Sequence, residues 1–437
     1  MDFSSPYSLI IIATVVLIIS FFFGEISKRT SIPSVLMLIV LGVILKIGMD
    51  SMGMTDLDFR KELEILGIVG LIMIVLEAAL ELKLERSKLV PILMSLGIAL
   101  VGLVLSAWIT AEILYYYLPM FETEYIVNVD GEMVNQGKLA AWIYATPLSI
   151  LSSAIIIPSV LDLRSDKKEF HIYESTFSDI LGIMLFYFLK GLVIVPGIES
   201  HGGVGNFAFT TFLTLIIAIV ASYLLVLIFQ KISSQTKLFL LISTLLLIYS
   251  VAKLQHLSSL LIILVFGLVI ANKEIFFAGP LKKWLDNKKA DEIYHGLHTI
   301  TMETAFVVRT FFFVVFGLTI VFSTLASWSV FGISLLCLAV VYLVRFILLR
   351  VSIGKDIVPQ VYIAPRGLIT ILLFYDIGEN LMREEFSPGI LLFIIIGTSL
   401  IMTGSLIFNK QRANKAINKV KSTNVSEMKW TVPDVNK

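Results

Sequence analysis

The chain has 437 residues, of which 57% are hydrophobic and 15% are charged, and its mean hydropathy is +0.92. Soluble proteins contain about half apolar and about a quarter charged residues, so this composition excludes an ordinary soluble protein and indicates a polytopic membrane protein. The formal net charge of +1 indicates no nucleic-acid partner, and the single cysteine, Cys337, excludes an internal disulfide and a metal cluster built on thiolates.

Apolar segments that can cross a bilayer recur from one end of the chain to the other. A hydrocarbon core of roughly 30 Å needs about 20 apolar residues per helix, so we predict an all-α membrane protein with about thirteen transmembrane helices. The predicted helices cover residues 7–23, 33–48, 63–82, 90–118, 139–161, 170–197, 206–230, 237–253, 257–272, 300–322, 328–349, 358–377 and 387–408. The first is too long for a removable signal peptide and lacks its cleavage site.

These helices form one predicted membrane transport domain, residues 1–408. The remaining residues, 409–437, are predicted to be a short polar tail in the cytoplasm. The tail is too short for a nucleotide-binding domain, so we expect none in the chain.

Lysine and arginine residues concentrate in alternate loops, which determines the predicted orientation. One set of loops contains Lys83, Arg86 and Lys88, and it also contains five lysines between residues 273 and 289. The loops between them hold few basic residues. Because basic loops stay in the cytoplasm, we expect the N-terminus outside and the C-terminus in the cytoplasm. The expected location is the inner (plasma) membrane of a bacterium.

Two of the predicted helices contain residues that interrupt a helix. The fifth contains Pro147 and Pro158. It also contains hydroxyl residues near its middle: Thr146, Ser149, Ser152 and Ser153. The twelfth contains Pro365-Arg366-Gly367 near its middle. Proline removes a helix hydrogen bond, and the backbone groups that this frees are tolerated in a bilayer only where protein or water satisfies them.

The positions of these two helices in the chain predict an internal repeat. If the seventh helix is a linker, helices 1–6 and 8–13 form two six-helix halves, and the interrupted helix is the fifth member of each. Corresponding members are seven helices apart, so the two halves have inverted topology and the interrupted helices cross near the membrane midplane. This pattern is typical of secondary transporters, whose site lies at the crossing. Two ordinary proline kinks are the alternative.

The sixth predicted helix carries a carboxylate far from either end. The sequence YESTFSDILG places Asp179 about 14 Å beyond a helix start near residue 170, which is roughly mid-bilayer. A charge at this depth costs at least about 2.5–3.5 kcal/mol, so such a residue is by default a functional-site candidate. Ser175 lies on the same helix face, and Ser178 directly precedes the aspartate. A buried acid retained only for packing is the alternative.

Other ionisable residues within the predicted helices need counter-charges. Arg366 reaches a depth similar to that of Asp179 and cannot be neutralised by proton loss, so it needs a carboxylate or the carbonyl groups of a helix end. We predict that it pairs with Glu174 and leaves Asp179 free. A second set is predicted to form ion pairs, either structural or part of the site: Glu77, Glu303 and Arg309. Lys190 and Arg345 are expected to extend to the membrane interface.

A buried aspartate beside hydroxyl groups and the carbonyl groups of broken helices suits two ligands, a proton or a small dehydrated monovalent cation. We predict that Asp179 binds either one. The predicted cation ligands also include hydroxyl residues of both helices: Thr146, Ser152, Ser153, Ser175 and Ser178. If the protein changes sides only when the site is occupied, it exchanges cation for proton without ATP or a cofactor. One acid per cycle makes the predicted exchange electroneutral.

These residues resemble the signature of the monovalent cation:proton antiporter superfamily, which includes the sodium/proton exchangers. The segment ESTFSDILGIMLF is similar to the family motif Glu-Ser-x-x-(Asn/Asp)-Asp on helix six, and APRGLI is similar to the arginine-glycine motif of the second interrupted helix. The resemblance implies a stabilising acid at Glu174, a hydroxyl ligand at Ser175 and the ion-binding aspartate at Asp179. It places Arg366 at the position of the family's arginine.

The resemblance also implies how the membrane domain is divided. A core bundle, about residues 90–197 and 328–408, would move against a scaffold, about residues 7–82 and 206–322. The scaffold would also form a homodimer within the bilayer.

Two departures from the family pattern bear on the transported ion. Ser178 stands where electroneutral members usually have Asn and electrogenic members have Asp, and serine cannot titrate. The fifth helix has Thr146-Pro147 instead of the Thr-Asp-Pro of many sodium exchangers. Sodium, lithium and potassium are therefore all candidates.

Three other functions compete with antiport. A cation-coupled solute symporter would need a larger polar cavity, and no cluster of Asn, Gln or aromatic residues at mid-depth indicates one. A cation channel would pass ions without proton coupling. A membrane-embedded enzyme is not indicated, because the sequence contains no HExxH motif, no paired catalytic aspartates and no histidine at mid-depth. We therefore predict a secondary-active antiporter rather than an enzyme.

Overall fold

The computed structural model is almost entirely helical. It describes residues 6–427 except for 31, 52–59, 85, 130–131, 162, 195–203, 235, 256, 321–326, 379–380 and 384–385. The α-helices are α1 (Pro6–Thr30), α2 (Ser34–Ser51), α3 (Arg60–Glu81), α4 (Leu89–Tyr117), α5 (Met120–Thr123), α6 (Gly137–Ser149), α7 (Ser153–Ser159), α8 (Ser165–Gly191), α9 (Val204–Phe229), α10 (Lys237–Leu254), α11 (Ser259–Ala271), α12 (Lys273–Phe276), α13 (Asn287–Thr319), α14 (Trp328–Ser352), α15 (Leu368–Tyr375) and α16 (Pro388–Glu427).

The long helices overlap the predicted transmembrane segments, although α13 begins at Asn287, before its predicted start at residue 300, and α15 covers only part of the predicted segment 358–377. Within the described ranges, ten helical segments are long and apolar enough to cross a membrane, and α11 is a shorter apolar helix. These segments support the prediction of a helical integral membrane protein. The count of thirteen crossings and the orientation stay predictions. The last helix, α16, continues beyond its predicted end at residue 408 to Glu427, and residues 428–437 of the predicted tail lie outside the described residues.

One segment corrects the all-α prediction. Strands β1 (Ile126–Val129) and β2 (Glu132–Asn135) form an antiparallel hairpin between α5 and α6. The sequence contains a signal for it, because the dipeptide Asp130-Gly131 between two short alternating segments is typical of a hairpin turn. The hairpin lies between two predicted transmembrane helices, so it adds no crossing.

The first interrupted helix consists of α6 and α7, with residues 150–152 between them. Its prolines do not mark the break, because Pro147 lies inside α6 and Pro158 lies inside α7. A backbone amide that the break leaves free is satisfied by a neighbouring helix: the Leu151 amide donates to Ser178 Oγ on α8 over 3.0 Å. The interruption is therefore located where another helix can satisfy the backbone.

The second interrupted helix has an extended segment, residues 363–367, before α15. The two interruptions lie against each other, because the Ser152 amide donates to the Pro365 carbonyl over 2.9 Å. Their approach requires glycine: a Cβ atom at Gly367 would lie 2.5 Å from Ser152 Oγ. The interrupted segments thus contact each other, whereas their crossing, the inverted repeat and the depth of the crossing stay predictions.

Around this contact, the helices form two sets of contacts. Helix α4 packs against α6, α8 and α14, and α14 packs against α16. Helix α13 packs against α2 and α3, and α11 packs against α3 and α9. The α2–α13 contact is close, because a Cβ atom at Gly42 would lie 2.1 Å from the Val314 carbonyl oxygen. The division into a moving core and a scaffold stays a prediction.

Candidate ion-binding site

Asp179 lies in α8 beside the first helix interruption, and only 2% of the residue is exposed. Its Oδ2 accepts a hydrogen bond of 3.3 Å from the backbone amide of Ser153, the first residue of α7. Its Oδ1 is buried and has no hydrogen-bond partner in the part of the chain that the structure describes. No lysine, arginine or histidine within the same residues forms an ion pair with it.

Three of the predicted hydroxyl residues stand at the interruption itself. Ser178 Oγ accepts the hydrogen bond from the Leu151 amide, so the side chain before Asp179 stabilises the break. Ser152 Oγ is buried and, among the described residues, has no hydrogen-bond partner. Ser153 contacts Asp179 through its backbone amide. The structure therefore brings these three residues together at the interruption, and Ser153 contacts the carboxylate.

The other two predicted hydroxyl ligands, Ser175 and Thr146, bond to their own helices. Ser175 Oγ donates to the His171 carbonyl over 2.7 Å. Thr146 Oγ1 donates to the Trp142 carbonyl, also over 2.7 Å. Both residues are buried. A hydroxyl group that donates a hydrogen bond keeps lone pairs for a further partner, so a role of either residue as a cation ligand stays a prediction.

The structure corrects the predicted partner of Glu174. This glutamate is 1% exposed and binds Arg345 of α14, with Nη1–Oε1 at 2.7 Å and Nη2–Oε2 at 2.9 Å. Arg345 lies seven residues before the end of α14 at Ser352, about 10 Å along the helix. The prediction that it extends to the membrane interface is wrong, because a buried carboxylate on α8 lies within its reach.

Arg366 binds backbone carbonyl groups instead of Glu174. It is 2% exposed, its Nε donates to the Leu148 carbonyl over 2.8 Å, and its Nη1 donates to the Ala364 carbonyl over 3.1 Å. Leu148 lies in the last turn of α6, where helix carbonyls have no intrahelical partner. The carbonyl groups of a helix end, the other predicted possibility, are therefore the partners that the structure shows.

The second predicted set of ionisable residues is brought together only in part. Arg309 Nη2 lies 2.9 Å from Glu77 Oε2, which confirms this ion pair. Arg309 Nη1 also donates to the Ala154 carbonyl of α7 over 3.3 Å, next to the residue whose amide binds Asp179. Glu303 is exposed and forms no ion pair within the described residues, so the prediction that it joins the pair is wrong.

Sequence reasoning missed two residues of the buried ion-pair network, Arg345 and His171. His171 is 0% exposed, and its Nδ1 lies 3.4 Å from Glu174 Oε2. Two sequence signals point to them. His171 stands three residues before Glu174, which places both on one helix face. Arg345 is the only charged residue in the apolar segment LAVVYLVRFILL.

A cavity between α4 and α14 reaches this network. Its volume is about 30 Å³, and its polar lining includes Ser106, Glu174, Ser178, Arg345 and Arg366. Asp179 is not part of the lining. The cavity therefore belongs to the ion-pair network rather than to the free carboxylate. Across all described ranges of the chain, no group of three or more His, Cys, Asp or Glu residues is placed to hold a metal ion.

Comparisons with known proteins agree with this fold. The family model described as "Sodium/hydrogen exchanger, transmembrane" matches residues 11–408. The structure of the sodium proton antiporter MjNhaP1 from Methanocaldococcus jannaschii at pH 8 is similar, with a TM-score of 0.64 and 19% sequence identity over 93% of this chain and 99% of that chain. An electron-microscopy structure of the same antiporter gives a TM-score of 0.61 and 18% identity over 94% of this chain and 97% of that chain. At such identities the likeness shows the fold alone. No curated protein sequence matches the chain.

Proposed function

The chain belongs to the sodium/hydrogen exchanger family, and we propose that it is a secondary-active antiporter that exchanges a monovalent cation (Na⁺, Li⁺ or K⁺) for H⁺. This family is one of transporters rather than enzymes. Asp179 is the proposed binding site for both ions, and the exchange requires no cofactor.

The observation that carries this proposal is the absence of a counter-charge at Asp179. Two other acids of the membrane helices each have an arginine: Arg345 lies 2.7 Å from the buried Glu174. Arg309 lies 2.9 Å from the partly buried Glu77. Asp179 has no basic partner among the described residues, although it is nearly as buried as Glu174. A buried carboxylate without a counter-charge is costly as a free anion, so it favours a bound proton or a bound cation.

The oxygen atoms near Asp179 suit a small monovalent cation. Asp179 Oδ1 and Ser152 Oγ are both buried and lack hydrogen-bond partners in the described part of the chain. Carboxylate, hydroxyl and carbonyl oxygens are the ligands that hard cations prefer. The remaining proposed ligands are the hydroxyl oxygens of the other candidate residues: Thr146, Ser153, Ser175 and Ser178. Because Oδ1 would bind either the cation or the proton, the two ions compete for one site.

Exchange by this site requires that it faces each side of the membrane in turn. We propose that the core (residues 90–197 and 328–408) moves against the scaffold (residues 7–82 and 206–322) only when Asp179 carries an ion. We also propose a homodimer formed through the scaffold in the inner membrane of a bacterium, with the N-terminus outside. The exposed apolar side chains of α1, α9 and α10 provide the surface for lipid and for such a dimer.

One carboxylate per site supports electroneutral exchange. A single Asp179 takes up one proton for each monovalent cation that it releases, and neighbouring Ser178 carries no titratable group. We therefore expect the exchange rate in proteoliposomes to be independent of an imposed membrane potential. A rate that follows the potential would argue against this stoichiometry.

The test of the function is exchange in proteoliposomes that contain a pH-sensitive dye. We expect Na⁺, Li⁺ or K⁺ added outside to dissipate an imposed pH gradient, and we expect Asp179→Asn to abolish this response. Glu303→Gln is the matched control, because it removes a carboxylate from an exposed position of α13 and should leave exchange unchanged.

Other outcomes of this experiment would contradict the proposal. Exchange that survives in Asp179→Asn would exclude this residue as the shared site. Cation flux without proton movement would indicate a channel, and cation uptake that depends on an organic solute would indicate a symporter.

A further inference from the structure

Three helices end at one place, and two of them carry lysine in the last turn. Lys190 stands in the last turn of α8, and Lys253 stands in the last turn of α10. The third helix, α15, ends at Tyr375. Helix carbonyl ends favour cations nearby. By the predicted orientation, all three ends face the outside of the membrane.

Lys190 connects two helices of the predicted core. Its Nζ donates to the backbone carbonyl of Asp376 and lies 3.3 Å from the Asp376 carboxylate. Asp376 directly follows α15, so this contact joins the ends of α8 and α15. Lys190 therefore does not merely extend to the membrane interface as predicted, because an acid of a neighbouring helix lies within its reach.

Lys253 approaches the same place from the predicted scaffold. Its Nζ lies 4.7 Å from the centre of the Tyr187 ring, which is the geometry of a cation–π interaction. Tyr187 belongs to α8 and lies eight residues beyond Asp179, about 12 Å along the helix. The Tyr187 ring belongs to a helix of the predicted core, and a lysine of α10 lies over its face.

We propose that Lys253 and Tyr187 form a latch that holds the core against the scaffold at the outer end of their interface and opens in every transport cycle. The proposal rests on the proposed exchange function, because a latch has a role only if the two bodies move. Lys253 touches neither Asp179 nor the proposed cation ligands, so it is a positioning residue. It acts by lowering the population of the form that is open to the outside.

Removal of the latch should change the apparent cation affinities in a defined direction and by a defined factor. A larger outward-open population raises the apparent cation affinity at the outer face and lowers it at the inner face. Lys253 is exposed and Tyr187 is half-buried, so the contact lies in the weaker range of cation–π interactions. That range corresponds to a change of about two- to fivefold in a two-state equilibrium.

The experiment measures the cation concentration for half-maximal exchange at each face, in right-side-out and inside-out vesicles. We expect Lys253→Met and Tyr187→Leu to improve the outer-face affinity about two- to fivefold and to weaken the inner-face affinity. Lys253→Arg retains a cation and Tyr187→Phe retains the ring, so both should match the unmodified protein. Lys237→Met is the matched control, because it removes a lysine from the other end of α10, where Lys237 lies 3.5 Å from Glu292.

Together, Lys253→Met and Tyr187→Leu distinguish a latch from a direct effect of the lysine charge on the incoming cation. A shift in Lys253→Met without a shift in Tyr187→Leu would overturn the latch, because only the charge of the lysine would then matter. Unchanged affinities in both variants, with exchange still abolished by Asp179→Asn, would overturn the latch and leave the proposed function intact. If Tyr187→Leu does not fold, the test compares the apparent cation affinities of Lys253→Met and Lys253→Arg. Equal affinities in these two variants would refute the latch.

Discussion

Replacement of Arg345 by methionine tests the ion pair at Glu174. The change removes two hydrogen bonds, of 2.7 and 2.9 Å, from a carboxylate that is 1% exposed. Removing one member of a buried pair costs about 3–5 kcal/mol, because the remaining charge stays buried without its partner. We therefore expect the unfolding free energy to fall by about 3–5 kcal/mol.

A double-mutant cycle separates Arg345 from Arg366 as the partner of Glu174. Glu174→Gln with Arg345→Met removes both charges, so the double variant should recover about 2–3 kcal/mol of the summed single losses. Glu174→Gln with Arg366→Met should be additive to within about 1 kcal/mol. The reason is that the Arg366 guanidinium donates to the Leu148 and Ala364 carbonyls.

The assay for this cycle is equilibrium unfolding in mixed micelles, followed by tryptophan fluorescence during titration with dodecyl sulfate. The result that would refute the assignment is a coupling energy between Glu174 and Arg366 that equals or exceeds the coupling between Glu174 and Arg345. The assay requires unfolding curves with a single transition, because a free energy of unfolding is defined only for two-state behaviour.

Two further predictions concern the contact between the helix interruptions and the contact of Arg309 with α7. Gly367→Ala places a Cβ atom 2.5 Å from Ser152 Oγ, so we expect loss of exchange and a destabilisation of about 1–3 kcal/mol, and Ser152→Gly should partly restore the stability. A normal melting temperature in Gly367→Ala would contradict the close contact. The double variant Glu77→Gln/Arg309→Gln removes the contact with the Ala154 carbonyl without leaving an unpaired charge. This contact lies beside the residue that binds Asp179 rather than at a membrane face, so its loss should slow exchange without shifting the outer-face and inner-face affinities in opposite senses. Opposite shifts would contradict this position.

The sequence predicts the helices and the central acid for the same physical reason. Apolar runs of transmembrane length are local features, and a carboxylate inside one is costly wherever the neighbouring helices lie. Asp179 therefore stands out without any knowledge of the fold. The Asp130-Gly131 hairpin is also a local signal, but a search for apolar runs passes over short polar segments.

The partners of the charged side chains depend on tertiary structure. Position along a helix gives depth, but it does not give the side on which a neighbouring helix packs. Arg345 and Arg366 both reach the depth of Glu174, and only the packing of α14 on α4 and of α4 on α8 brings Arg345 to the carboxylate. The position of the break between α6 and α7 also depends on a neighbouring helix. It falls where Ser178 satisfies a free amide, not at a proline.

The helix interruptions explain how opposite charges can be buried side by side without neutralising each other. The end of α6 presents a carbonyl group, at Leu148, that binds Arg366. The start of α7 presents an amide, at Ser153, that binds Asp179. Carbonyl ends favour cations and amide ends favour anions. A break of only a few residues thus supplies one partner for each charge. Had Arg366 bound Asp179 directly, its guanidinium, which keeps its proton, would permanently occupy the position that a transported cation needs.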